Sequence, residues 1–400
     1  MTFSYKYKLF SVIFLLTSLN FLIVFFTSDN LDNNFSFGPH TISLYFQLPF
    51  LTLVYIWLSL QFSKNHYQSM LIAGLTIIPS LLILLKYLFN EINFYQEDNL
   101  EYDLLAKHFI NENTIFAKEA FKVQPGYAYY LTIIIGIFEN QIRLTQLLNI
   151  ILCFILLSIL INIIQKSRIE KKEKYFIYYL LFSSTFFISQ NILFSISEWL
   201  TFSLGFYSVL LVKKKHFIIL SFVLGYMVLL RTNLILINTF FILLIFFYVR
   251  KKTIILVFFS IIMLPFLHNY LVHNELAFFI TSKLVDHGSH FESIISNPSQ
   301  YTFNHFLSYL GISKNAVNFS LSDNTFIVSI ITLPFFFIYF LKTFLNSNFQ
   351  LKMILFFLIF LSSGVTFFYG WAYYPRFQLT NYIISLIYFI NIRYFLITKT

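Results

Sequence analysis

Long apolar runs separated by short polar segments make up most of this chain. Runs of about 17–25 apolar residues are long enough to cross the hydrocarbon core of a membrane as helices. A membrane β-barrel would instead show short segments of alternating polarity. The pattern predicts an all-α integral membrane protein with about twelve transmembrane helices. The predicted spans are 9–27, 42–62, 69–89, 143–164, 175–193, 196–212, 217–231, 233–249, 254–271, 325–342, 352–370 and 377–397.

The polar segments between these spans differ in charge. Twelve spans place both ends of the chain on one side, and every dense Lys/Arg cluster falls on that same side. Such clusters are typical of the cytoplasmic face of a membrane protein, and they set its orientation. In that orientation, most of the 17 acidic residues are predicted to face outward. The basic clusters are Lys6 with Lys8, 166–174, 213–216 and 250–252.

The apolar stretch 126–138 is too short to cross a bilayer and begins after Pro125. We predict that it forms an interfacial or re-entrant helix, which leaves two sizeable loops outside. The chain then divides into N-terminal transmembrane helices (1–89), an external acidic loop with interfacial helices (90–142), transmembrane helices (143–271), a second external loop (272–323) and C-terminal transmembrane helices (324–400).

Composition agrees with this assignment. The chain is 58% hydrophobic and only 11% charged, which excludes an ordinary soluble enzyme. Its single cysteine, Cys153, lies in an apolar run, so no disulfide framework is possible. A net charge of +10 could indicate nucleic-acid binding, but in a membrane protein the placement of basic residues matters more than their sum. We therefore expect membrane lipids, and no nucleic acid, as partners.

Four carboxylates gather in the first external loop, at Glu97, Asp98, Glu101 and Asp103. External loops are often acidic because acidic side chains keep them solvated, and that explanation alone would account for the cluster. The alternative is that one of the carboxylates takes part in chemistry.

Helical spacing favours Asp98 for such a role. If 98–109 is a helix, Asp98, Tyr102, Leu105 and Phe109 share one face, while Glu101 and Asp103 project elsewhere. An apolar face against the membrane surface would place Asp98 at its end, partly shielded yet open to a water-soluble substrate. That position suits a general base.

Several stretches of the chain, taken in order, resemble one superfamily of membrane enzymes. They are Asp98-Asn99-Leu100-Glu101-Tyr102 followed by Ala106; "QPGYAYYLTIIIGIFENQIRLTQLLN" (124–149); "SEWLTFSLGFYSVLL" with "FVLGYMVLLRTNLIL", which contain Glu198 and Arg231; "LPFLHNYLVHNELAFF" (264–279); and "YYPRFQLTNYIISLIYF" (373–389). Together they resemble the GT-C superfamily of glycosyltransferases, particularly bacterial relatives of the protein O-mannosyltransferases and lipid A aminoarabinose transferases. The resemblance covers roughly residues 90–395.

The resemblance implies transfer of a sugar from a polyprenyl-phosphate donor to a lipid, glycan or protein acceptor. The reaction would take place on the outer face of the cytoplasmic membrane of a bacterium. Asp98 would be the general base, with Glu97 and Glu101 as possible substitutes. Two positions depart from the family pattern: Asn99 stands where a second acid is usual, and His268 stands where an Arg is common.

The departing phosphate needs cationic partners, and Arg376 and Arg231 are the candidates because both fall at external ends of spans. Arg231 could equally be a residue that extends to the interface from a helix end. We expect Glu198 to form a structural ion pair with Arg231. Further candidates for substrate binding are Tyr102, Arg143 and Lys122.

We expect no cofactor. The second loop holds Asp286, His287, His290 and Glu292, but their spacing is not that of a strong zinc site, so no metal site is predicted.

Two other functions fit a polytopic membrane protein. An O-antigen or capsule polymerase would depend on Arg residues in large external loops, and the loop 272–323 has none. A transporter or flippase of lipid-linked glycans would carry polar or charged residues near the middle of several spans, or related halves. The predicted spans are nearly free of charge at their centres. A purely structural membrane protein is possible as well, but it would leave the acidic loop with no task beyond its solvation.

Overall fold

The structure is a computed structural model that describes residues 97–116, 121, 125–138, 142–167, 169–170, 173–174, 177, 180–181, 196–274, 276, 336–368 and 375–396. All regular structure in these ranges is helical, as the sequence predicts. The predicted spans 9–27, 42–62 and 69–89, most of 175–193 and the first part of 325–342 lie outside the described residues.

Ten α-helices follow one another along the described ranges. They are α1 (Glu97–Asn111), α2 (Pro125–Phe138), α3 (Ile142–Lys166), α4 (Ile196–Lys213), α5 (Phe217–Leu230), α6 (Ile235–Val249), α7 (Lys252–His273), α8 (Phe336–Asn346), α9 (Phe349–Phe368) and α10 (Pro375–Asn391). A 3-10 turn, Thr232–Leu234, precedes α6, and a π-helical turn, Ile392–Leu396, follows α10.

Two segments are long and apolar enough to cross a membrane by length and composition, Thr232–Val249 and Lys252–Val272. Six other apolar helices in the described ranges are shorter. The short helix predicted after Pro125 is confirmed as α2, and the predicted helix at 98–109 is confirmed within α1.

The helix boundaries have local causes. Arg231 has extended backbone angles (φ −147°, ψ 100°), so α5 stops there and the chain turns through the 3-10 segment into α6. Arg250 and Asn274 end α6 and α7 in the left-handed conformation, with φ 57° at each residue. A left-handed residue at a helix C-terminus is a common stop signal. The break at Arg231 confirms the helix boundary that the sequence predicts between 231 and 233.

The helices run in alternating directions, which gives the bundle two distinct ends. The side-chain amide of Asn233 donates a hydrogen bond to Asn381, and Asn238 accepts one from Tyr388. Because the second contact lies further along both segments, α6 and α10 run in the same direction. The hydroxyl of Ser221, near the start of α5, donates to the carbonyl of Ile254, near the start of α7. The connections 214–216 and 250–251 therefore lie at one end, which we call the basic end.

The opposite end carries α1 and α2. A small apolar cluster joins Tyr102, Phe109 and Tyr127 of these helices to Leu200 near the start of α4 and Leu230 at the end of α5. A larger apolar core extends along α3 to α10. We call the end with α1 and α2 the loop end, and it holds the candidate site.

Candidate functional site

The helix α1 packs on α2 through one buried face. Tyr102, Ala106 and Phe109 are buried, and Leu105 is half-buried. The ring of Tyr102 meets the edge of Tyr127 with centroids 5.3 Å apart. The apolar face that the spacing predicts is present at these positions, but it packs against α2 and the bundle rather than against the membrane surface that the sequence analysis expects.

Asp103 departs from the prediction that it projects away from this face. It is only 2% exposed, and its Oδ2 lies 2.7 Å from Nζ of Lys107, one turn further along α1. The adjacent Lys107 supplies the counter-charge without which burial of a carboxylate would be costly. Glu101, on the same helix, is half-buried.

The Pro-Gly segment that begins α2 lies directly against the end of α5. A Cβ atom built on Gly126 would lie 2.5 Å from the carbonyl carbon of Leu229, so the two backbones touch. The hydroxyl of Tyr226 donates a 2.7 Å hydrogen bond to the Gly126 carbonyl. α2 is thus fixed beside Arg231, the residue that follows α5.

Arg231 is buried at this junction. It is 8% exposed, and its backbone N–H donates to the carbonyl of Met227 at 2.9 Å. A guanidinium at a buried position beside α2 can present several N–H donors to an anion. Whether Arg231 binds a phosphate or extends to the interface remains a prediction.

Phe121, which lies between α1 and α2, is fixed to the end of α7. The backbone N–H of Phe121 donates to Oδ1 of Asn269 at 3.1 Å, and Nδ1 of His268 lies 2.9 Å from the same oxygen. The His268 ring stacks on Phe121 with centroids 3.9 Å apart, and on Phe116 at 5.7 Å. Because the Asn269 oxygen can only accept hydrogen bonds, His268 carries its proton on Nδ1.

Two phenols of α2 border the same junction. Burial raises the pKa of Tyr129 and of Tyr130 to about 12, so both are neutral hydrogen-bond donors at neutral pH. The Tyr129 hydroxyl donates to the carbonyl of Ile115 at 3.3 Å, which adds a second tie to the segment after α1.

α10 begins at the same end of the bundle. Asn233, two residues after Arg231, donates through Nδ2 to Oδ1 of Asn381 at 2.9 Å. Arg376 is the second residue of α10, so its backbone also belongs to the loop end.

The structure therefore brings several predicted site residues to one end and leaves others undescribed. Glu101, Tyr102 and Arg231 are described with their side chains at the loop end. The following are described by their backbone alone: Glu97 and Asp98 at the start of α1, Arg143 at the start of α3, Glu198 at the start of α4, and Arg376. Lys122 and the segment 286–292 lie outside the described ranges, and the predicted Glu198–Arg231 pair remains a prediction.

Sequence reasoning missed the residues that hold this end together. Four side chains form hydrogen bonds with elements distant in sequence, although the sequence analysis predicts no role for them: Tyr226, Asn233, Asn269 and Asn381. All four lie in stretches quoted in the sequence analysis. A polar residue in an otherwise apolar helix was the available signal.

No group of three or more His, Cys, Asp or Glu residues that could hold a metal ion occurs in the part of the chain that the structure describes. Comparison of the chain with protein-family models, with characterised proteins and with solved structures finds no match.

Proposed function

We propose that this chain is a polytopic membrane glycosyltransferase of the GT-C type. It would transfer a sugar from a polyprenyl-phosphate donor to a lipid, glycan or protein acceptor on the outer face of a bacterial cytoplasmic membrane. The proposal includes the predicted arrangement of about twelve spans, with the loop end outside and the basic end in the cytoplasm.

One observation carries the proposal. Residues from stretches that were singled out separately in the sequence meet at the loop end: α1 with Tyr102, α2 with Gly126, the end of α5 with Arg231, and the end of α7 with Asn269. A binding or catalytic site needs groups from several elements held by rigid helices, and this junction supplies them.

The reaction assigns a task to each group. The acceptor oxygen or nitrogen attacks the anomeric carbon and loses its proton to the Asp98 carboxylate, while the bond from that carbon to the phosphate oxygen breaks. The electron pair of that bond leaves with the phosphate, whose charge Arg231 and Arg376 stabilise by charge-assisted hydrogen bonds. The polyprenyl tail lies in an apolar groove between helices.

The proposal is tested by Asp98→Asn in membranes supplied with labelled polyprenyl-phosphate sugars. We expect transfer by the parent and a fall of about 100-fold or more in the variant, which is the scale of a lost general base. Glu97→Gln and Glu101→Gln are the matched controls, and each is expected to retain most of the transfer activity. Membrane levels of each variant should be measured alongside.

The outcomes separate the alternatives. If Asp98→Asn transfers as well as the parent, the base is one of its neighbours or the cluster only keeps the loop solvated. If the parent transfers no sugar from a broad donor panel, the glycosyltransferase proposal fails, and a polymerase or a transporter of lipid-linked glycans takes its place.

A further inference from the structure

α10 has one polar face that is buried against its neighbours. Asn381, Ser385, Tyr388 and Asn391 recur at helical spacing and are fully buried. Each contacts another helix through a side-chain hydrogen bond. The partners are Asn233 and Ser362 for Asn381, Ser362 for Ser385, Asn238 for Tyr388, and Ser208 for Asn391. Interhelical bonds of this kind fix how helices sit against each other in an apolar bundle.

The bond between Asn233 and Asn381 differs from the others in where it lies. Asn233 belongs to the 3-10 turn that directly follows Arg231, and Asn381 lies five positions after Arg376 on α10. Asn381 accepts from Asn233 at 2.9 Å and donates to the carbonyl of Ser362 at 3.1 Å. One amide therefore joins the turn, α9 and α10.

We propose that Asn233 and Asn381 are a positioning pair that sets the spacing between Arg231 and the start of α10, which carries Arg376. The inference rests on the proposed function, in which these two arginines receive the phosphate of the donor. Neither asparagine touches the phosphate. Asn233 acts through Arg231, two residues before it, and Asn381 acts through Arg376, five residues before it.

The backbone at Arg231 explains why a separate fixing contact is needed. The residue is extended, with φ −147° and ψ 100°, so regular helix does not continue through it. The short turn that follows is anchored to α10 by the Asn233 side chain. Arg376 lies about one and a half helical turns from Asn381, so a shift at the bond moves both arginine-bearing segments. Small misplacements of substrate-positioning groups are costly to binding.

The bundle contains a matched bond for comparison. Asn238 is also fully buried, donates to the carbonyl of Leu224 at 2.9 Å and accepts from the Tyr388 hydroxyl at 2.6 Å. It joins α6 to the same helix, α10, but further from the loop end. Loss of this bond tests what helix packing alone contributes.

The experiment compares Asn233→Ala, Asn381→Ala and their combination with Asn238→Ala. Two quantities are measured: the KM and kcat for a labelled polyprenyl-phosphate sugar, and the protection from thermal unfolding by polyprenyl phosphate without sugar. We expect each single variant of the pair to raise the donor KM about threefold to tenfold, the scale of one interhelical hydrogen bond, and to lower kcat as well, because the two arginines stabilise the charge of the departing phosphate. The double variant should be no worse than the worse single one, because both changes remove the same bond.

Asn238→Ala is expected to lower the unfolding temperature while it retains the parental donor KM and the parental response to polyprenyl phosphate. Equal KM changes in Asn238→Ala and in the pair variants would show that the pair only packs helices and would overturn the inference. An unchanged KM in the pair variants of an active parent would overturn it too. If the parent neither transfers sugar nor responds to polyprenyl phosphate, the proposed function itself fails.

Discussion

At the scale of single residues, buried polar side chains hold the residues between α1 and α2 against the bundle. Asn269 is fully buried near the end of α7, and its Oδ1 accepts the backbone N–H of Phe121, 148 residues earlier in the chain. A buried backbone N–H without an acceptor is costly, so this oxygen holds the backbone at Phe121 in place. His268 adds a flat ring on which Phe121 stacks.

Asn269→Ala should therefore loosen the segment between α1 and α2. The N–H of Phe121 loses its acceptor, which destabilises the local structure by about 1–3 kcal/mol. We expect faster amide hydrogen exchange in peptides that contain Phe121, measured by mass spectrometry in detergent. Asn269→Asp is the matched control, because it keeps an oxygen acceptor in the same place. Parental exchange rates in Asn269→Ala would contradict the assignment.

At the scale of elements, α2 depends on a close backbone approach. Pro125 is favourable at the first position of a helix because its missing N–H would have no helical partner there. Gly126 follows, and only the absence of a side chain lets α2 touch the backbone of Leu229 and Leu230. The sequence pattern Pro-Gly followed by an apolar run thus reflects two different requirements, one local and one from packing.

Gly126→Ala should displace α2 from the end of α5. The added Cβ would meet rigid backbone at 2.5 Å rather than the movable tip of a side chain, and overpacking of this kind costs about 1–3 kcal/mol or more. A lower unfolding temperature and reduced transfer activity are expected. Gly136→Ala, on the same helix, is the control: its Cβ would meet nothing within 4 Å, and alanine favours a helix over glycine by about 1 kcal/mol. Equal stability of the two variants would refute the close approach.

At the scale of the whole molecule, the two ends of the bundle differ in chemistry. The loop end carries α1 with its carboxylates, whereas the basic end carries Lys213 at the end of α4 and Lys214, Lys215, Arg250 and Lys251 in the connections between helices. Such asymmetry is typical of a membrane protein with its basic end in the cytoplasm. The alternation of helix directions is what separates the two sets of charges.

This orientation can be tested with single cysteines in a Cys153→Ser background. Leu104 on α1 is 57% exposed, and Lys214 lies exposed in the connection between α4 and α5. A membrane-impermeant maleimide applied to intact cells should label Leu104→Cys and should leave Lys214→Cys unlabelled until the membrane is opened. The parent, whose Cys153 is buried, shows the background. The reverse labelling would invert the proposed topology.

A long-range contact near the basic end links the segment after α3 to the end of the described chain. Nη1 of Arg393, in the π-helical turn after α10, lies 2.6 Å from Oε1 of Glu173, and the Tyr339 hydroxyl donates to the same oxygen at 3.0 Å. Glu173 is one of few acids among the basic residues of 166–174, and this contact gives it a structural task. Nothing in the pattern of hydrophobic residues predicts its partner.

The sequence by itself determined the helical character of the chain, most of the described helix positions and the short helix after Pro125. These features depend on local causes: apolar runs, a proline, and a break at Arg231. The apolar face of α1 followed from spacing alone, because Tyr102, Leu105 and Phe109 repeat at helical intervals.

Only the tertiary structure decided which distant residues meet. The hold of Asn269 on Phe121 and the pairing of Asn233 with Asn381 depend on how helices are arranged around one another. The Asp103–Lys107 pair joins residues four apart on α1, so only the burial of Asp103 depends on tertiary packing. Periodicity specifies the face of a helix but not the neighbour that covers it. A single asparagine in an apolar helix has many possible partners, and the packing of the whole bundle selects one.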